Sequence, residues 1–159
     1  MTAIQFNISK GREVEFYNRV DTNDPTNSAL IMAVIAAGGE GVNALADYAS
    51  FATLFVSNPE VTNTNYARKV LTDASLSAFV VDNVNNWILL TLPLQTFTNI
   101  SAGNVWDIVV VGYDPDTTSG TDSAIIPITA AEIRQNGVPL VPSSTDEVIN
   151  YSNGWITAT

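Results

Sequence analysis

The sequence contains no cysteine and no histidine. Without them the chain cannot form disulfides, use a thiol nucleophile or build a catalytic triad in which histidine is the base. Zinc sites with nitrogen or sulfur ligands are excluded for the same reason. No apolar run reaches the ~18 residues of a membrane span, and no secretory signal follows Met1. We therefore expect a protein that is made in the cytosol and has neither a membrane partner nor a cofactor.

Basic residues are scarce. Six lysines and arginines stand against sixteen acids, which gives a net charge of −10, and only one base follows position 70. Binding to nucleic acid or to an anionic membrane needs several basic side chains, so both partners are disfavoured. Charged residues make up 14% of the chain, whereas ordinary domains carry about 25%. Such a surface suits a protein that lies against other proteins or outside the cell.

The strongest structural signal lies in residues 106–129. In residues 106–113, apolar side chains occur at both even and odd positions and would therefore lie on both faces of a strand. This predicts a central strand that is covered on both faces. Residues 114–122 are rich in Asp, Pro, Thr, Ser and Gly and predict a turn-rich loop. Residues 124–129 follow as a strand in which Pro127 indicates an edge or a bulge.

The remaining pattern predicts a mostly β chain. Residues 28–37 form a continuous apolar run that we interpret as a strand. Residues 43–57 place an aromatic stripe on one helical face, with Asn43 as a cap and Asn58-Pro59 as the end. Together these features predict a single-domain β-sandwich, Ig-like or jelly-roll-like, over residues 21–159 with one short α-helix near residues 43–57. The other strand-like runs are residues 66–71, 78–81, 87–92, 96–98 and 148–157.

Residues 1–20 predict an N-terminal hairpin. Ile4, Phe6 and Ile8 alternate with polar residues, a turn follows, and Val14 and Phe16 alternate again. One interpretation is an ordinary edge hairpin with charged outer residues. The other is an arm that adds to the sheet of a neighbouring subunit. Deletion of residues 1–12 would then abolish partner binding and leave the domain folded.

Two groups of charged residues are candidate sites. Asp114, Asp116 and Asp122 have the spacing of cation ligands, but the further ligands of a calcium loop are missing, so a solvated turn is the alternative. Arg68 and Lys69 point to opposite faces of a strand. For Arg68 we expect either a bidentate pair with an acid such as Asp73 or Asp107, or contact with another subunit.

Sugar chemistry is a further possibility that the sequence raises. A glycoside hydrolase uses a pair of catalytic carboxylates, and a chain with sixteen acids always offers some candidate pair. No such pair lies in an aromatic-rich segment, which disfavours a glycoside hydrolase. Trp87, Trp106 and Trp155 are widely spaced within strands, which favours core or interface roles over stacking on sugars. An exposed Trp or Tyr surrounded by Asp and Asn would instead favour glycan binding.

Several motifs resemble a family of small tailed-bacteriophage structural proteins. The family carries Asn-Tyr-Ala-Arg-Lys before a strand, a Val-Asp-Asn segment, a Leu-Pro-x-Gln-Thr strand and Tyr-Asp-Pro-Asp-Thr-Thr before an Ile-Pro-x-Thr strand. The likeness covers roughly residues 10–155. The corresponding segments of this chain are residues 65–69, 81–83, 92–98, 113–122 and 126–129.

The resemblance implies a non-enzymatic virion protein that is assembled in the host cytoplasm. The most specific function that the resemblance implies is that of a homo-oligomeric decoration or cement protein that binds the major capsid protein. The alternative is a tail or head-fibre module that binds host surface glycans. The residues we expect at the partner surface are Ile4, Phe6, Ile8, Lys10, Arg12, Arg68 and Lys69.

Overall fold

A computed structural model of the chain describes residues 2–135, 137–151 and 155–158. Within these residues there are two α-helices, α1 (Glu13–Asp21) and α2 (Phe51–Ser57), and two 3₁₀ helices, Val42–Asp47 and Asp73–Ser75. The strands are β1 (Ala3–Gln5), β2 (Ala29–Ala36), β3 (Lys69–Leu71), β4 (Val80–Asp82), β5 (Trp87–Leu90), β6 (Gln95–Ile100), β7 (Trp106–Asp114), β8 (Ile126–Glu132), β9 (Arg134–Gln135), β10 (Val138–Pro139), β11 (Thr145–Ile149) and β12 (Ile156–Ala158).

The main sheet has five antiparallel strands in the order β1-β8-β7-β2-β3. Three smaller antiparallel sheets accompany it, in the orders β10-β9, β11-β6 and β12-β5-β4. The mostly β fold class is therefore confirmed, as a set of antiparallel sheets with a few short helices that is consistent with a single-domain β-sandwich. No helix in the described ranges is both long and apolar enough to span a membrane.

The central strand is the one that the sequence predicts. β7 pairs with β2 on one side and with β8 on the other, and all of its residues except Asp107 are buried. All eight residues of β2 are buried as well. The register between β7 and β8 shifts where Gly112 pairs with Pro127, which fits the predicted irregularity at that proline.

Apolar side chains cover both faces of the main sheet. On the first face, Met32 belongs to a core that includes α1 and residues from β5, β6, β11 and β12. On the second face, Ile31 belongs to a core built with α2 and the 3₁₀ helix Val42–Asp47. Because β2 and β7 are covered on both faces, their sequences show no polar alternation.

The predicted N-terminal hairpin is wrong. β1 pairs with β8 of its own sheet, and the second predicted strand lies within α1. The physical reason is the spacing of the buried residues: Glu13, Phe16, Tyr17 and Val20 lie on one helical face. Phe16 stacks on Tyr113 with ring centroids 4.7 Å apart, so α1 packs into the first core.

The predicted helix over residues 43–57 is divided in two. The backbone of Tyr48 is extended (φ −68°, ψ 134°), and α2 starts only after Ser50, whose side chain accepts a hydrogen bond from the Thr53 amide. The end at Asn58-Pro59 is as predicted, because α2 stops at Ser57. Residues 148–157, predicted as one closing strand, contribute to two different sheets through β11 and β12.

Candidate functional site

Arg68 occupies the most connected charged position in the described chain. Its Nε and Nη2 atoms lie 2.9 Å and 2.7 Å from the two carboxylate oxygens of Glu60. Its Nη2 also lies 2.9 Å from Oδ2 of Asp122. The bidentate pairing is thus present, but the partners are neither Asp73 nor Asp107. Asp107 lies instead 3.1 Å from Nη2 of Arg134.

Aromatic groups complete the Arg68 network. The guanidinium lies 5.6 Å from the ring centroid of Phe51 and 5.0 Å from that of Phe55, both on α2. The Tyr66 hydroxyl donates to Glu60 at 2.7 Å and accepts from the Val34 amide at 2.9 Å, and burial raises the pKa of Tyr66. The network joins α2, the segment before β3 and the acidic loop, so it fixes the β3 edge in place.

The three predicted acidic ligands serve different partners. Asp114 accepts from the Asp116 amide at 3.0 Å, and Asp116 accepts from the amide and hydroxyl of Thr118. Burial raises the pKa of Asp114, Thr118 lowers that of Asp116, and Arg68 lowers that of Asp122. Within the described residues no group of three acids is arranged to hold a metal ion. The loop is therefore organised by its own hydrogen bonds and by Arg68.

The N-terminal residues predicted to bind a partner divide into buried and exposed members. Phe6 is fully buried in the second core and Ile4 is half-buried against it, whereas Ile8 is 41% exposed. Lys10 donates to Asn7 at 2.6 Å, and Arg12 pairs with Glu15 at 3.1 Å. Phe6 is thus unavailable to a partner in this fold. Partner binding by the exposed members stays a prediction.

A groove of about 560 Å³ lies between the N-terminal end of α1 and the β4–β5 hairpin. A second depression of about 390 Å³ borders it, because Gln5 lines both. The polar and aromatic residues that line the first groove are Gln5, Glu13, Asp82, Asn83, Asn86 and Trp87.

Large apolar side chains are exposed at two unpaired strand edges. Val70 is 50% exposed on β3, the outermost strand of the main sheet. Val80 and Val81 are 57% and 53% exposed on β4, the outermost strand of the three-stranded sheet, and Val84 in the following turn is 88% exposed. Both edges offer apolar contact area to a partner. Other exposed large apolar side chains are Val56, Leu94, Val138, Val141 and Val148.

No protein-family model, no curated protein and no solved structure matches this chain. Any function must therefore be argued from the chain's own residues and surfaces.

Sequence reasoning missed the groove because its two walls are far apart along the chain. One wall contains Glu13, which the hairpin interpretation placed on an outer face and which is only 5% exposed. The available signal was local: the segment from Asp82 to Trp87 concentrates asparagines beside a tryptophan. The other two tryptophans do have the structural roles expected for them. Trp106 is fully buried and donates to Asn63 at 3.0 Å, and Trp155 donates to Thr129 at 2.8 Å.

Proposed function

We propose that the chain is a non-enzymatic structural protein of a bacteriophage particle that decorates the capsid by binding the major capsid protein. The observation that carries the proposal is the unpaired β3 edge, where Val70 is half-exposed beside Lys69. The low charge content of the chain and the phage-like motif at residues 65–69, which leads directly into β3, support it.

The β3 edge has the chemistry of a docking strand. It pairs with β2 on one side, and no strand in the described residues covers its other side. Such an edge can accept a strand from another protein through backbone hydrogen bonds, while apolar side chains supply the contact area. The capsid protein would provide that strand.

The Arg68 network makes this edge rigid before binding. Arg68 directly precedes β3 and is tied to Glu60 and Asp122, so little conformational freedom is lost when a partner docks. β4 exposes more apolar area but belongs to a smaller, three-stranded sheet. We therefore place the capsid contact at β3. Repetition over a capsid lattice would turn modest single contacts into stable attachment.

The first test is the copy number of the chain in purified particles of the phage that encodes it, measured by quantitative mass spectrometry against the major capsid protein. A near-stoichiometric count is expected for a decoration protein. A count of a few to a few tens would contradict decoration and favour a fibre, collar or tail-tip part. Absence from particles would overturn the structural proposal.

The second test locates the contact. Val70→Thr keeps the shape of the side chain and removes its apolar character. We therefore expect this variant to co-sediment more weakly than the wild type with capsids from which the protein is absent. Val56→Thr is the matched control, because Val56 is 84% exposed and lies on α2, not on a strand. Loss of binding in Val80→Thr/Val81→Thr with full binding in Val70→Thr would contradict the β3 assignment.

A further inference from the structure

The groove between α1 and the β4–β5 hairpin contains a buried carboxylate with spare bonding capacity. Glu13 is 5% exposed and lines the groove. Its Oε1 accepts from the Gly11 amide at 3.2 Å, while its Oε2 receives no hydrogen bond from the described part of the chain. Because Glu13 lines the groove, this oxygen is free to accept a hydrogen bond from a ligand that enters it.

A second carboxylate stands across the groove. Oδ1 of Asp82 accepts from the amides of Val84 and Asn85, and Oδ2 accepts from the side chain of Asn85 at 2.8 Å. Hydrogen bonds from the side chain and the amide of Asn85, followed by one from the Trp87 side chain, lower the pKa of Asp82 to about 2. The hairpin turn thus holds the carboxylate in a fixed position. Oδ1 already accepts two hydrogen bonds, whereas Oδ2 accepts one from Asn85 and can accept another from a ligand.

The other polar groups of the groove can both donate and accept. Gln5, Asn83 and Asn86 line it, and their side-chain amides make no hydrogen bond with other described residues. Trp87 lies beside them as a partly exposed ring, in the register position opposite Asp82. The described lining includes no lysine and no arginine.

We propose that this groove binds a neutral oligosaccharide. Sugar hydroxyls would donate to the carboxylates of Glu13 and Asp82 and exchange hydrogen bonds with the three amides, while the apolar face of a sugar ring would pack on Trp87. The volume of about 560 Å³ lies within the usual range of small-ligand sites. Sialylated, uronic and phosphorylated sugars are excluded, since two carboxylates and no cation face the ligand.

The binding site lies apart from the proposed capsid contact. Gln5 belongs to β1, and β1 and β3 are the opposite edges of the main sheet. A chain that is attached to a capsid through β3 would keep the groove open for glycans outside the particle. The inference therefore adds a host-surface contact to a decoration protein, and it holds for the isolated chain whether or not the capsid proposal does.

The test is a titration of the purified chain with defined oligosaccharides, followed by calorimetry. The neutral probes are maltotetraose, cellotetraose and tetra-N-acetylchitotetraose, and the anionic probes are sialyllactose and tetragalacturonic acid. We expect at least one neutral probe to bind with a Kd below about 1 mM and both anionic probes to bind at least about tenfold more weakly. Failure of all three neutral probes to bind, or preference for an anionic one, would overturn the proposal.

Variants assign the binding to the groove. Trp87→Ala should weaken it by at least about tenfold, and Glu13→Gln and Asn83→Ala by several-fold. Asp73→Asn is the control, because it also removes one negative charge but lies outside the groove. Asn83 is exposed and forms no bond within the described fold, so its variant stays informative if the others unfold. Unchanged affinity in Asn83→Ala and in every folded variant of Trp87 and Glu13 would overturn the assignment.

Discussion

Arg68 and Asp122 lie 54 positions apart in the chain and form a two-contact ion pair in the fold, with Nη2 of Arg68 2.9 Å from Oδ2 of Asp122 and Nη1 bonded to Oδ1. Asp122 ends the acidic loop after β7, and its carbonyl oxygen also accepts from the Ala52 amide of α2. The pair therefore connects the edge of the main sheet to the loop and to the helix that covers the second core.

Removal of this connection should be costly. The Arg68 side chain is only 26% exposed and serves two carboxylates, so Arg68→Ala leaves Glu60 and Asp122 together without their cation. We expect the free energy of unfolding to fall by about 2 kcal/mol, a value reduced for the remaining solvent exposure. Urea denaturation followed by circular dichroism measures it.

The matched control is Arg12→Ala. Arg12 pairs with Glu15, but both side chains are more than 40% exposed, so we expect a clearly smaller loss of stability than in Arg68→Ala. Equal losses in the two variants would mean that the Arg68 network contributes no more than a surface ion pair.

The same pair predicts a dependence of stability on pH. Hydrogen bonds from Arg68 lower the pKa of Asp122 in the folded chain. A carboxylate with a lowered pKa stabilises the fold above its unfolded pKa of about 3.9, and this contribution is lost as the pH falls through the folded pKa. The stability difference between the wild type and Asp122→Asn should therefore be largest near neutral pH and shrink below about pH 4.

Urea midpoints at several pH values between 7 and 2 check this prediction. In Arg68→Ala, as in Asp122→Asn, stability should depend less on pH in the range in which Asp122 titrates, because both variants remove the same ion pair. Wild-type and Asp122→Asn curves that stay parallel down to pH 2 would contradict it.

The sequence predicts those parts of the fold in which local pattern and tertiary environment agree. In β2 and β7, apolar residues occur at both odd and even positions, and the structure covers both strands on both faces. α1 escaped prediction because Val14 and Phe16 also satisfy a strand period in so short a segment. The helix is distinguished from a strand only by the joint burial of Phe16, Tyr17 and Val20, which has the spacing of one helical face.

The candidate sites show the same division. The chemistry of a guanidinium predicted for Arg68 either a bidentate ion pair or a contact with another subunit. Which acids form the pair depends on which loop the fold brings alongside. The groove depends likewise on the approach of Glu13 to the hairpin that carries Asp82 and Trp87. Local sequence identifies the chemistry of a side chain, whereas long-range pairing identifies its partner.

Gly112 lies where β7 packs closely against Phe51 of α2. A Cβ atom at this residue would lie 2.7 Å from Cε1 of Phe51 and 2.8 Å from Cγ2 of Ile125. Gly112→Ala should therefore lower the free energy of unfolding by about 1–3 kcal/mol through overpacking. Gly41→Ala is the control in the same urea experiment, since nothing lies within 4 Å of its Cβ position and its φ is −67°. Equal stability of the two variants would show that Phe51 moves aside without cost.

Phe6 decides whether the N-terminal segment is a separable arm or part of the folded domain. Its side chain is fully buried in the second core, and its amide donates to the Ile128 carbonyl at 2.9 Å. We expect Phe6→Ala to lower the free energy of unfolding by about 3–4 kcal/mol, the usual cost of emptying a buried phenylalanine site. Ile8→Ala, at a 41% exposed position on the same segment, should cost less than about 1 kcal/mol. Deletion of residues 1–12 should then unfold or strongly destabilise the chain, because it removes both Phe6 and the pairing of β1 with β8. A deletion variant with the thermal stability of the full chain would restore the interpretation of residues 1–12 as a detachable arm.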